Sequence, residues 1–416
     1  MPHAPVASLL LCCVLPACAA GLRAGVARVD ITPPKGHAMG GYTERTRGAS
    51  GTHDPLYATV LLLDSGASSL ALVTCDLRSF VSTRVGEMAR QKFGVTNTII
   101  SVSHTHSGPL TWEAPTAWYA AAENKMIEAI GQARHAMFDA ELATASGQVY
   151  LGFNRRRVTN GRGQMWWRNA ERLPSHPYDP AVNVIRVRDA QQKVRAVLVH
   201  FACHPSVLGP ANLEYSADYP GAMKRYVESQ FPGALCLFMQ GGAGDINPYR
   251  DKEPGQAASF EAVDIMAREL ASEVMRALGR VRPTGDSPQP LRIATEIVSV
   301  ANRWNPQERI SVGLSAGIIA DRVCFLALPG EPFVEHQIAF REKSECPVAL
   351  LFGYSYSAGG VWAGYMPTIR AAVEGGYGAD YNTTVAVGAG EMLIDRGVVH
   401  LMKLRGLLKD LPDPRF

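Results

Sequence analysis

Two histidines stand two residues apart where an apolar segment ends. Asn97–Ile100 is rich in β-branched residues, and residues 101–109 read Ser-Val-Ser-His-Thr-His-Ser-Gly-Pro. This pattern predicts a buried strand that stops at the Gly-Pro pair. Side chains alternate across a strand, so we expect His104 and His106 to project from one face. In an isolated His-x-His, one histidine is more often hydrogen-bonded in a turn and the other solvated. Imidazole is a preferred zinc ligand, however, so this pair is a candidate metal site.

Two further metal-ligand residue types follow apolar strands in the same way. Val194–Phe201 leads to Cys203-His204-Pro205, and Val323–Leu328 leads to Pro329-Gly330-Glu331-Pro332. Taken alone, His204 is as often a core side chain as a ligand. An acid such as Glu331 more often lies in the first turn of a helix, where the helix dipole favours it. The repetition of strand-end positions makes both residues candidates.

A glycine-rich loop and a basic loop complete the polar segments. After the apolar strand Leu235–Met239, residues 240–248 read Gln-Gly-Gly-Ala-Gly-Asp-Ile-Asn-Pro. The segment lacks a following Lys-Ser/Thr and a Gly-x-Gly-x-x-Gly pattern, which excludes a phosphate loop. Glycines also let backbone N–H groups approach a reacting carbonyl oxygen, as a hydrolase requires. Arg155–Arg157 are predicted to be a solvated cluster, the usual state of adjacent arginines.

Composition describes an ordinary globular chain. It has 416 residues, 47% of them hydrophobic and 19% charged, with a formal net charge of +3. That length accommodates one large domain or two closely packed ones. The small net charge gives no support for binding nucleic acid.

The N-terminus resembles a targeting signal. Val6–Ala17 is a short apolar run, and the small residues of 17–20 suit cleavage. The run is too short to span a bilayer. We therefore expect residues 1–20 to be a signal peptide and the chain to be exported, periplasmic or secreted. Leu15-Pro16-Ala17-Cys18 is a weak lipoprotein pattern that would anchor the chain through Cys18.

Five cysteines lie outside that signal, at wide spacing. Three of them stand in apolar runs, where a free thiol packs as a small hydrophobic group. We expect buried thiols and no disulfide framework, and no Cys-x-x-Cys metal motif is present. The five are Cys75, Cys203, Cys236, Cys324 and Cys346.

Apolar periodicity predicts how these residues are positioned. Thr59–Asp64 and Leu70–Thr74 are expected to form a hairpin, and Asp218 to be the N-cap of a helix. Arg280–Pro290 has the composition of a surface linker. The fold class expected is α/β, with mixed β-sheets and flanking helices in one large domain and the metal site at strand ends. The predicted helices are Val81–Phe93, Ala117–Ala140, Tyr219–Phe231 and Phe260–Leu278.

Taken together, the motifs resemble the neutral/alkaline, non-lysosomal ceramidase family, in family order over nearly all of residues 21–416. The asparagine in Gly244-Asp245-Ile246-Asn247-Pro248 is a departure, because the family has Gly-Asp-Val-Ser-Pro there. Ceramidases also continue into a C-terminal β-sandwich domain, whereas this sequence ends at Phe416. The other matching segments are Ile31–Pro34 with Gly40–Tyr42, His104–Pro109, Phe201–Pro205, Pro329–Glu331, and Gly364–Thr368 followed by Tyr377.

The resemblance implies an enzyme that hydrolyses the N-acyl amide of ceramide-like lipids to a fatty acid and a sphingoid base. It implies one Zn²⁺ per chain, and it implies a small-molecule or lipid amide as partner, with transient contact with membrane lipid and no protein partner. Asp245 is expected to orient a ligand histidine or to shuttle a proton. The zinc ligands implied are His104, His204, Glu331 and Tyr365, and the residues lining the substrate amide are His106, Arg155 and Tyr377.

Three other functions remain open at this point. The site could serve a zinc amidase for another N-acyl amine or a peptide-like bond, because no run of large apolar residues marks a lipid cleft. The fold could instead belong to a non-catalytic exported protein that binds metal or glycan, since Asn247 removes a hydroxyl from the family motif. A structural surface protein would require the ligand set to be incidental. Turnover and metal content separate the three.

Overall fold

The computed structural model describes residues 21–111, 116–252, 256–283 and 290–408, with the backbone alone for 256–258. The predicted signal peptide and most of the predicted linker lie outside these ranges. Arg282–Pro283, at the start of that linker, form a short strand within a sheet.

The described residues form seven helices and a larger number of strands. The helices are α1 (Thr83–Phe93), α2 (Ala117–His135), α3 (Asp218–Gln230), α4 (Gln256–Leu278), α5 (Val334–Ser344), α6 (Ile369–Glu374) and α7 (Ala389–Leu404). The strands are β1 (Arg23–Asp30), β2 (Gly51–Thr52), β3 (Tyr57–Asp64), β4 (Ser69–Cys75), β5 (Asn97–Val102), β6 (Phe138–Asp139), β7 (Glu141–Gln148), β8 (Gly152–Asn154), β9 (Arg156–Thr159), β10 (Arg162–Met165), β11 (Ala181–Arg188), β12 (Val194–Phe201), β13 (Glu214–Tyr215), β14 (Leu235–Gln240), β15 (Ile246–Pro248), β16 (Arg282–Pro283), β17 (Leu291–Ala301), β18 (Arg309–Ile319), β19 (Val323–Ala327), β20 (Glu331–Pro332), β21 (Val348–Phe352), β22 (Ser355–Tyr356) and β23 (Tyr365–Met366).

Three mixed sheets make up the framework. Their strand orders are β22-β5-β4-β3-β1-β6, β14-β12-β11-β7-β16 and β17-β18-β19-β21. Each sheet contains one parallel pair joined through a helix: β4 and β5 through α1, β12 and β14 through α3, and β19 and β21 through α5. The remaining principal pairs are antiparallel, including the predicted hairpin of β3 and β4. The mixed α/β fold expected from the sequence is therefore confirmed.

The inner strands of each sheet are mostly buried on both faces, which explains their largely apolar sequences. One face joins a central core shared by all three sheets, to which Leu72, Leu237 and Phe325 contribute. The opposite faces pack against helices: α1 and α2 on the first sheet, α3 and α4 on the second, and α5 and α7 on the third. Within β14, Cys236 and Phe238 point to the helices while Leu237 and Met239 point to the central core. This alternation fixes the register of the strand.

The parallel pairs direct the functional segments to one region. His104 and His106 follow β5, His204 follows β12, and Glu331 follows β19. Side chains that follow parallel strands lie at the carboxyl edge of a sheet, the usual place for a ligand site in α/β proteins. The three sheets thus each contribute a strand end to the same centre.

Several helix ends differ from the sequence prediction by a few residues. α2 ends at His135 instead of Ala140, because the chain then pairs Phe138–Asp139 with β1. Ala217, and not Asp218, occupies the N-cap of α3. Asp218 is instead the first helical residue, with a left-handed φ of 55° and its carboxylate accepting from the Tyr219 backbone N–H at 2.6 Å.

The cysteine prediction was partly wrong, since Cys324 and Cys346 form a disulfide. Parallel pairing of β19 with β21 aligns Val323 with Val348, which brings the starts of the two strands together. The Cα atoms of the two cysteines are consequently 6.1 Å apart. The other three cysteines named above are buried free thiols, as expected. Among the described residues, no helix is both long and apolar enough to cross a membrane.

Candidate metal centre

The backbone holds the two histidine motifs together. The His106 N–H donates to the carbonyl of Pro205 at 3.1 Å, and the His204 N–H donates to the carbonyl of Ile246 at 3.0 Å. His104 adopts a left-handed φ of 70°, which is uncommon for a residue with a side chain. Such backbone strain concentrates at functional sites, where the surrounding structure enforces it.

A glycine loop covers His106 from outside. Gly41 has a φ of 101°, and a Cβ atom at this position would lie 2.8 Å from the His106 Cα. Only glycine permits both the backbone conformation and this approach. The next residue, Tyr42, packs edge-on against the His106 ring at 5.0 Å, and its hydroxyl donates to the Leu208 carbonyl at 2.9 Å.

Hydrogen bonds to carbonyl oxygens fix the tautomers of two histidines. His104 Nδ1 lies 2.6 Å from the Arg78 carbonyl, and His204 Nδ1 lies 2.7 Å from the Ala243 carbonyl. A carbonyl oxygen can only accept, so each Nδ1 carries the proton. Each Nε2 therefore presents a lone pair, which is the arrangement typical of metal-binding histidines.

Glu331 comes to these histidines through a short parallel ladder. Glu331, in β20, is the direct parallel partner of Tyr365, in β23. A Cβ atom on Gly244 would lie 2.4 Å from the Glu331 carbonyl oxygen, so the glycine permits the loop to pack against β20. Glu331 therefore lies in a strand and not in the first turn of a helix, since α5 begins only at Val334.

The four side chains enclose a set of atoms without protein partners. Glu331 Oε2 lies 3.4 Å from Nε2 of His104 and 3.4 Å from Nε2 of His204. The ligand nitrogens of His104, His106 and His204 lie within 4.8 Å of one another. These three Nε2 atoms and Glu331 Oε2 are buried and have no hydrogen-bond partner among the described residues. Buried polar atoms without partners are rare, and here all of them converge.

The protonation states of the histidines and of Glu331 favour cation binding at this cluster. Burial lowers the pKa of His204 to about 3, and the charge of Arg155 acts in the same direction. Burial also lowers the pKa of His106 well below its usual value. Burial acts to raise the pKa of Glu331, but His104 and His204 outweigh it and hold the pKa well below the ordinary range. Neutral imidazoles and an ionised carboxylate are the forms that bind metal.

Arg155 lies inside the site, so the prediction of a solvated arginine cluster was wrong. Arg155 and Arg156 are 4% and 7% exposed, and only Arg157 of the three is exposed. The antiparallel pair of β8 and β15 places Arg155, whose N–H donates to the Asp245 carbonyl at 2.8 Å. Its guanidinium donates to the Tyr365 hydroxyl at 3.0 Å.

Aromatic rings line the guanidinium on the outer side of the site. The Arg155 carbon Cζ lies 5.2 Å from the Tyr377 ring centroid and 5.7 Å from that of Trp167. The Tyr377 ring also contacts the Tyr365 ring at 5.3 Å. Tyr377 is half-buried, so it stands between the buried cluster and the surface.

Among the described residues, the Asp245 carboxylate contacts no histidine, so the expected orienting role was wrong, while the expected role as a proton shuttle stays a prediction. Its carboxylate accepts from the Asn154 side chain at 2.6 Å and from the Val334 N–H at 2.9 Å, at the start of α5. Backbone carbonyls take the orienting role instead. Burial raises the pKa of Asp245 to about 6. The Asp245 carboxylate thus connects Asn154, the neighbour of Arg155, to the start of α5.

The glycine-rich loop does not offer its N–H groups to a substrate. Gly241 donates to the Phe201 carbonyl, Gly242 to the Gln337 side chain and Gly244 to the Pro332 carbonyl. These donors are used in packing the loop. Side chains must therefore supply donors for a reacting oxygen.

Sequence analysis missed Tyr354. Its side chain is fully buried, its ring centroid lies 4.5 Å from that of His104, and its hydroxyl has no partner among the described residues. It also has a left-handed φ of 55°. The available signal was its position just after the apolar strand β21, the same strand-end placement that identified the histidines.

The cluster fits a bound divalent metal such as zinc. Two imidazole nitrogens with defined tautomers and an ionised carboxylate match the donors of catalytic zinc sites. His106 is near enough to supply a further donor, and Tyr365 is the strand partner of Glu331. The unpartnered atoms at the centre are explained if a cation binds them.

Comparisons with known proteins agree with this geometry. Residues 22–361 match the family model described as neutral/alkaline non-lysosomal ceramidase, N-terminal. The solved neutral ceramidase from Pseudomonas aeruginosa superposes with a TM-score of 0.74 at 17% identity, covering 95% of this chain and 77% of that one. A second solved structure, a ceramidase complexed with C2, gives a TM-score of 0.74 at 16% identity over the same shares. No curated protein matches the sequence.

At these identities the solved structures establish the fold. The family model establishes more, because it matches most of the chain and includes the loops that carry both histidine motifs and Glu331. The chain belongs to the neutral/alkaline non-lysosomal ceramidase family and is a hydrolase that acts on the amide bond of ceramide.

Proposed function

We propose that this chain is a zinc-dependent amidohydrolase whose zinc ligands are His104, His204, Glu331 and Tyr365. The observation that carries the proposal is the convergence of unpartnered Nε2 and Oε2 atoms in a buried site. The Tyr365 oxygen accepts from Arg155, which can only donate, so this oxygen is oriented as an acceptor. A metal ligand needs the same property.

A bound zinc ion supplies Lewis acidity, which polarises the amide carbonyl and makes water a nucleophile near neutral pH. The protein holds the ligand atoms in place through the carbonyls of Arg78 and Ala243. Because these carbonyls fix the rings before a metal arrives, the site needs little rearrangement to bind it.

Three residues act on the substrate amide. Tyr377 donates a hydrogen bond to the oxygen of the scissile carbonyl as negative charge develops on it, and preorganised donors of this kind are a large term in catalysis. Arg155 orients the carbonyl through its buried guanidinium. Both ring nitrogens of His106 are buried and have no partner in the described part of the chain. His106 faces the same space and takes or returns a proton.

The products are a fatty acid and a sphingoid base. The amine must leave with a proton, because an amide anion is a poor leaving group. His106 is the residue placed to deliver that proton. Tyr354, whose ring packs against His104 and whose hydroxyl has no hydrogen-bond partner within the described ranges, is a second donor for the same space.

Export is also proposed, and two features support it. Residues 6–17 are apolar and precede small residues suited to cleavage. The Cys324–Cys346 disulfide suits an oxidising compartment. Substrate in a membrane would require transient contact with lipid.

The direct test is hydrolysis of a short-chain N-acylsphingosine in detergent by the zinc-loaded protein. The same protein is given an N-acyl amino acid and a dipeptide, which represent the rival amidase functions. Release of sphingoid base at the highest kcat/KM of the three supports the proposal. Faster hydrolysis of either rival substrate would reassign the enzyme, and zinc binding without turnover of any amide would indicate a binding protein.

The fourth zinc ligand has its own test. Tyr365→Phe should lower the zinc content after dialysis, whereas His106→Ala should keep zinc and lose turnover. The reverse pattern would give His106 the ligand position, which the short distances between the three histidines also allow.

A further inference from the structure

Asn247 lies between a buried cation and a buried acid. The guanidinium of Arg155 donates to Asn247 Oδ1 at 3.1 Å, and Asn247 Nδ2 donates to Asp251 Oδ2 at 2.8 Å. Asn247 is 1% exposed, and Asp251 is 2% exposed. The bridge is therefore shielded from water, where hydrogen bonds to charged groups are strong.

Its two neighbours fix the orientation of this amide. Arg155 can only donate, so it must face the amide oxygen. Asp251, as a carboxylate, accepts, so the amide nitrogen must face it. The asparagine side chain cannot be reversed without breaking both hydrogen bonds.

Asp251 is anchored on its far side. Its Oδ1 accepts from the Ser206 hydroxyl at 2.9 Å, and Lys252 forms an ion pair with Oδ2. Ser206 lies two residues after His204, so the anchor belongs to the loop that carries a proposed zinc ligand. Arg155 and this loop are thereby joined through side chains.

The guanidinium depends on this connection. Its other hydrogen bonds go to the Gly244 carbonyl at 2.6 Å and to the Tyr365 hydroxyl. No carboxylate of the described residues lies within 4.0 Å of a guanidinium nitrogen of Arg155. Asn247 is thus the residue that connects the guanidinium to Asp251 by hydrogen bonds.

We propose that Asn247 is a positioning residue, which transmits the anchor of Asp251 to Arg155 and so aims the guanidinium at Tyr365 and the substrate carbonyl. The inference rests on the proposed amide hydrolysis. A serine, as in the Gly-Asp-x-Ser-Pro form of the motif, carries a single oxygen next to Cβ. The serine side chain is too short to reach both Arg155 and Asp251. The connection between these two residues therefore depends on the asparagine of this chain.

A double-mutant cycle tests the proposal with Asn247→Ser, Arg155→Lys and the double variant. Asn247→Ser should lower kcat/KM for short-chain N-acylsphingosine about 10- to 100-fold, mainly through kcat, since small displacements of an orienting group have effects of this size. In the Arg155→Lys background the same change should matter less than about 3-fold. Multiplicative effects would mean that Asn247 acts independently of Arg155, and the proposal would fail.

Two further variants guard against a folding defect. Asp251→Asn keeps an acceptor for Asn247 and should keep most activity, whereas Asp251→Leu should behave like Asn247→Ser. Asn169 is a matched control, because it is a buried asparagine whose side-chain hydrogen bonds to the described residues stay within its own turn, at Leu173. Asn169→Ser should lower the melting temperature without changing kcat. Equal loss of kcat in Asn169→Ser would overturn the proposal.

Binding of hexanoate, a carboxylate product, gives a readout that needs no turnover. Calorimetry on the four zinc-loaded proteins of the cycle should show weaker binding in Asn247→Ser and no further weakening in the double variant. If the parent hydrolyses no amide, the proposed function fails while this binding cycle still decides the role of Asn247. That role would be overturned if Asn247→Ser bound hexanoate as tightly as the parent. It would also be overturned if the two substitutions weakened binding additively in the double variant.

Discussion

Glu331 and Tyr365 are direct partners in a two-stranded parallel ladder, although a helix and two strands separate them in the chain. This pairing places the carboxylate 3.4 Å from the Nε2 atoms of both His104 and His204. It also places the Tyr365 hydroxyl against Arg155. The metal-binding and substrate-orienting halves of the site therefore share one backbone element.

Replacing Glu331 with glutamine should reduce metal binding. The change keeps the size of the side chain but removes the negative charge between two imidazoles, so we expect zinc affinity to fall by more than about 10-fold. The measurement is zinc per chain after dialysis against a graded chelator. Glu335→Gln is the control, because Glu335 lies on α5 and its carboxylate accepts a hydrogen bond from the Thr368 hydroxyl at 3.1 Å. Unchanged zinc content in Glu331→Gln would remove the carboxylate from the ligand set.

Removing the Tyr354 hydroxyl should separate stability from activity. This hydroxyl is buried without a partner, so Tyr354→Phe should leave the free energy of unfolding unchanged or raise it by about 1 kcal/mol. Turnover should fall about 10-fold, because the hydroxyl is a proposed proton donor to the substrate. Tyr356→Phe is the control, because the Tyr356 hydroxyl donates to the Gly360 carbonyl at 3.1 Å. This variant should lose stability and keep its turnover. Loss of stability without loss of turnover in Tyr354→Phe would assign it a structural role.

Asp218 should make stability depend on pH. Burial raises its pKa from 3.8 to about 7, and Asp54 and Asp251 act in the same direction. The folded chain thus favours the protonated form, so this stabilisation is fully present below about pH 4 and is lost as pH rises through 7. Asp218→Asn removes the titration and tolerates the left-handed φ.

Urea unfolding between pH 4 and pH 8 checks this prediction. The stability of Asp218→Asn relative to the parent should rise by a few kcal/mol over that range, at about 1.4 kcal/mol per pKa unit. Asp139→Asn is the control, since the Asp139 side chain is 85% exposed. A stability difference between Asp218→Asn and the parent that stays constant with pH would contradict the assignment.

The Cys324–Cys346 disulfide should contribute to stability. It closes a loop with a sequence separation of 22, for which chain entropy gives roughly 3 kcal/mol. A Cys324→Ser, Cys346→Ser double variant should lose about that much free energy of unfolding. Reductant should then destabilise the parent and leave the double variant unaffected. Equal stability of the parent and the variant under oxidising conditions would show that the bond adds nothing.

Local sequence patterns were sufficient for the elements that carry the site. The apolar run before His104 and the run before His204 each became a buried strand, and the histidines lie just beyond them. Strand periodicity and strand-ending residues are local properties of the chain. These local properties predicted that His104 and His204 lie at strand ends, without information on which strands pair.

Other features depended on long-range pairing and were missed. The burial of Arg155 results from pairing β8 with β15, and the disulfide from pairing β19 with β21. Adjacent arginines and a cysteine in an apolar run carry no local sign of either. Tyr354 was overlooked because a tyrosine after a strand is ordinary until its hydroxyl is found without a partner.

The measurement that tests the central claim is zinc content together with release of sphingoid base, in the parent and in His104→Ala. The proposed site predicts about one zinc per chain and release of sphingoid base in the parent, with both lost in the variant. His135→Ala is the matched control, because His135 is an exposed histidine at the end of α2, and it should resemble the parent. A His104→Ala protein that keeps both its zinc and its amide hydrolysis would contradict the account.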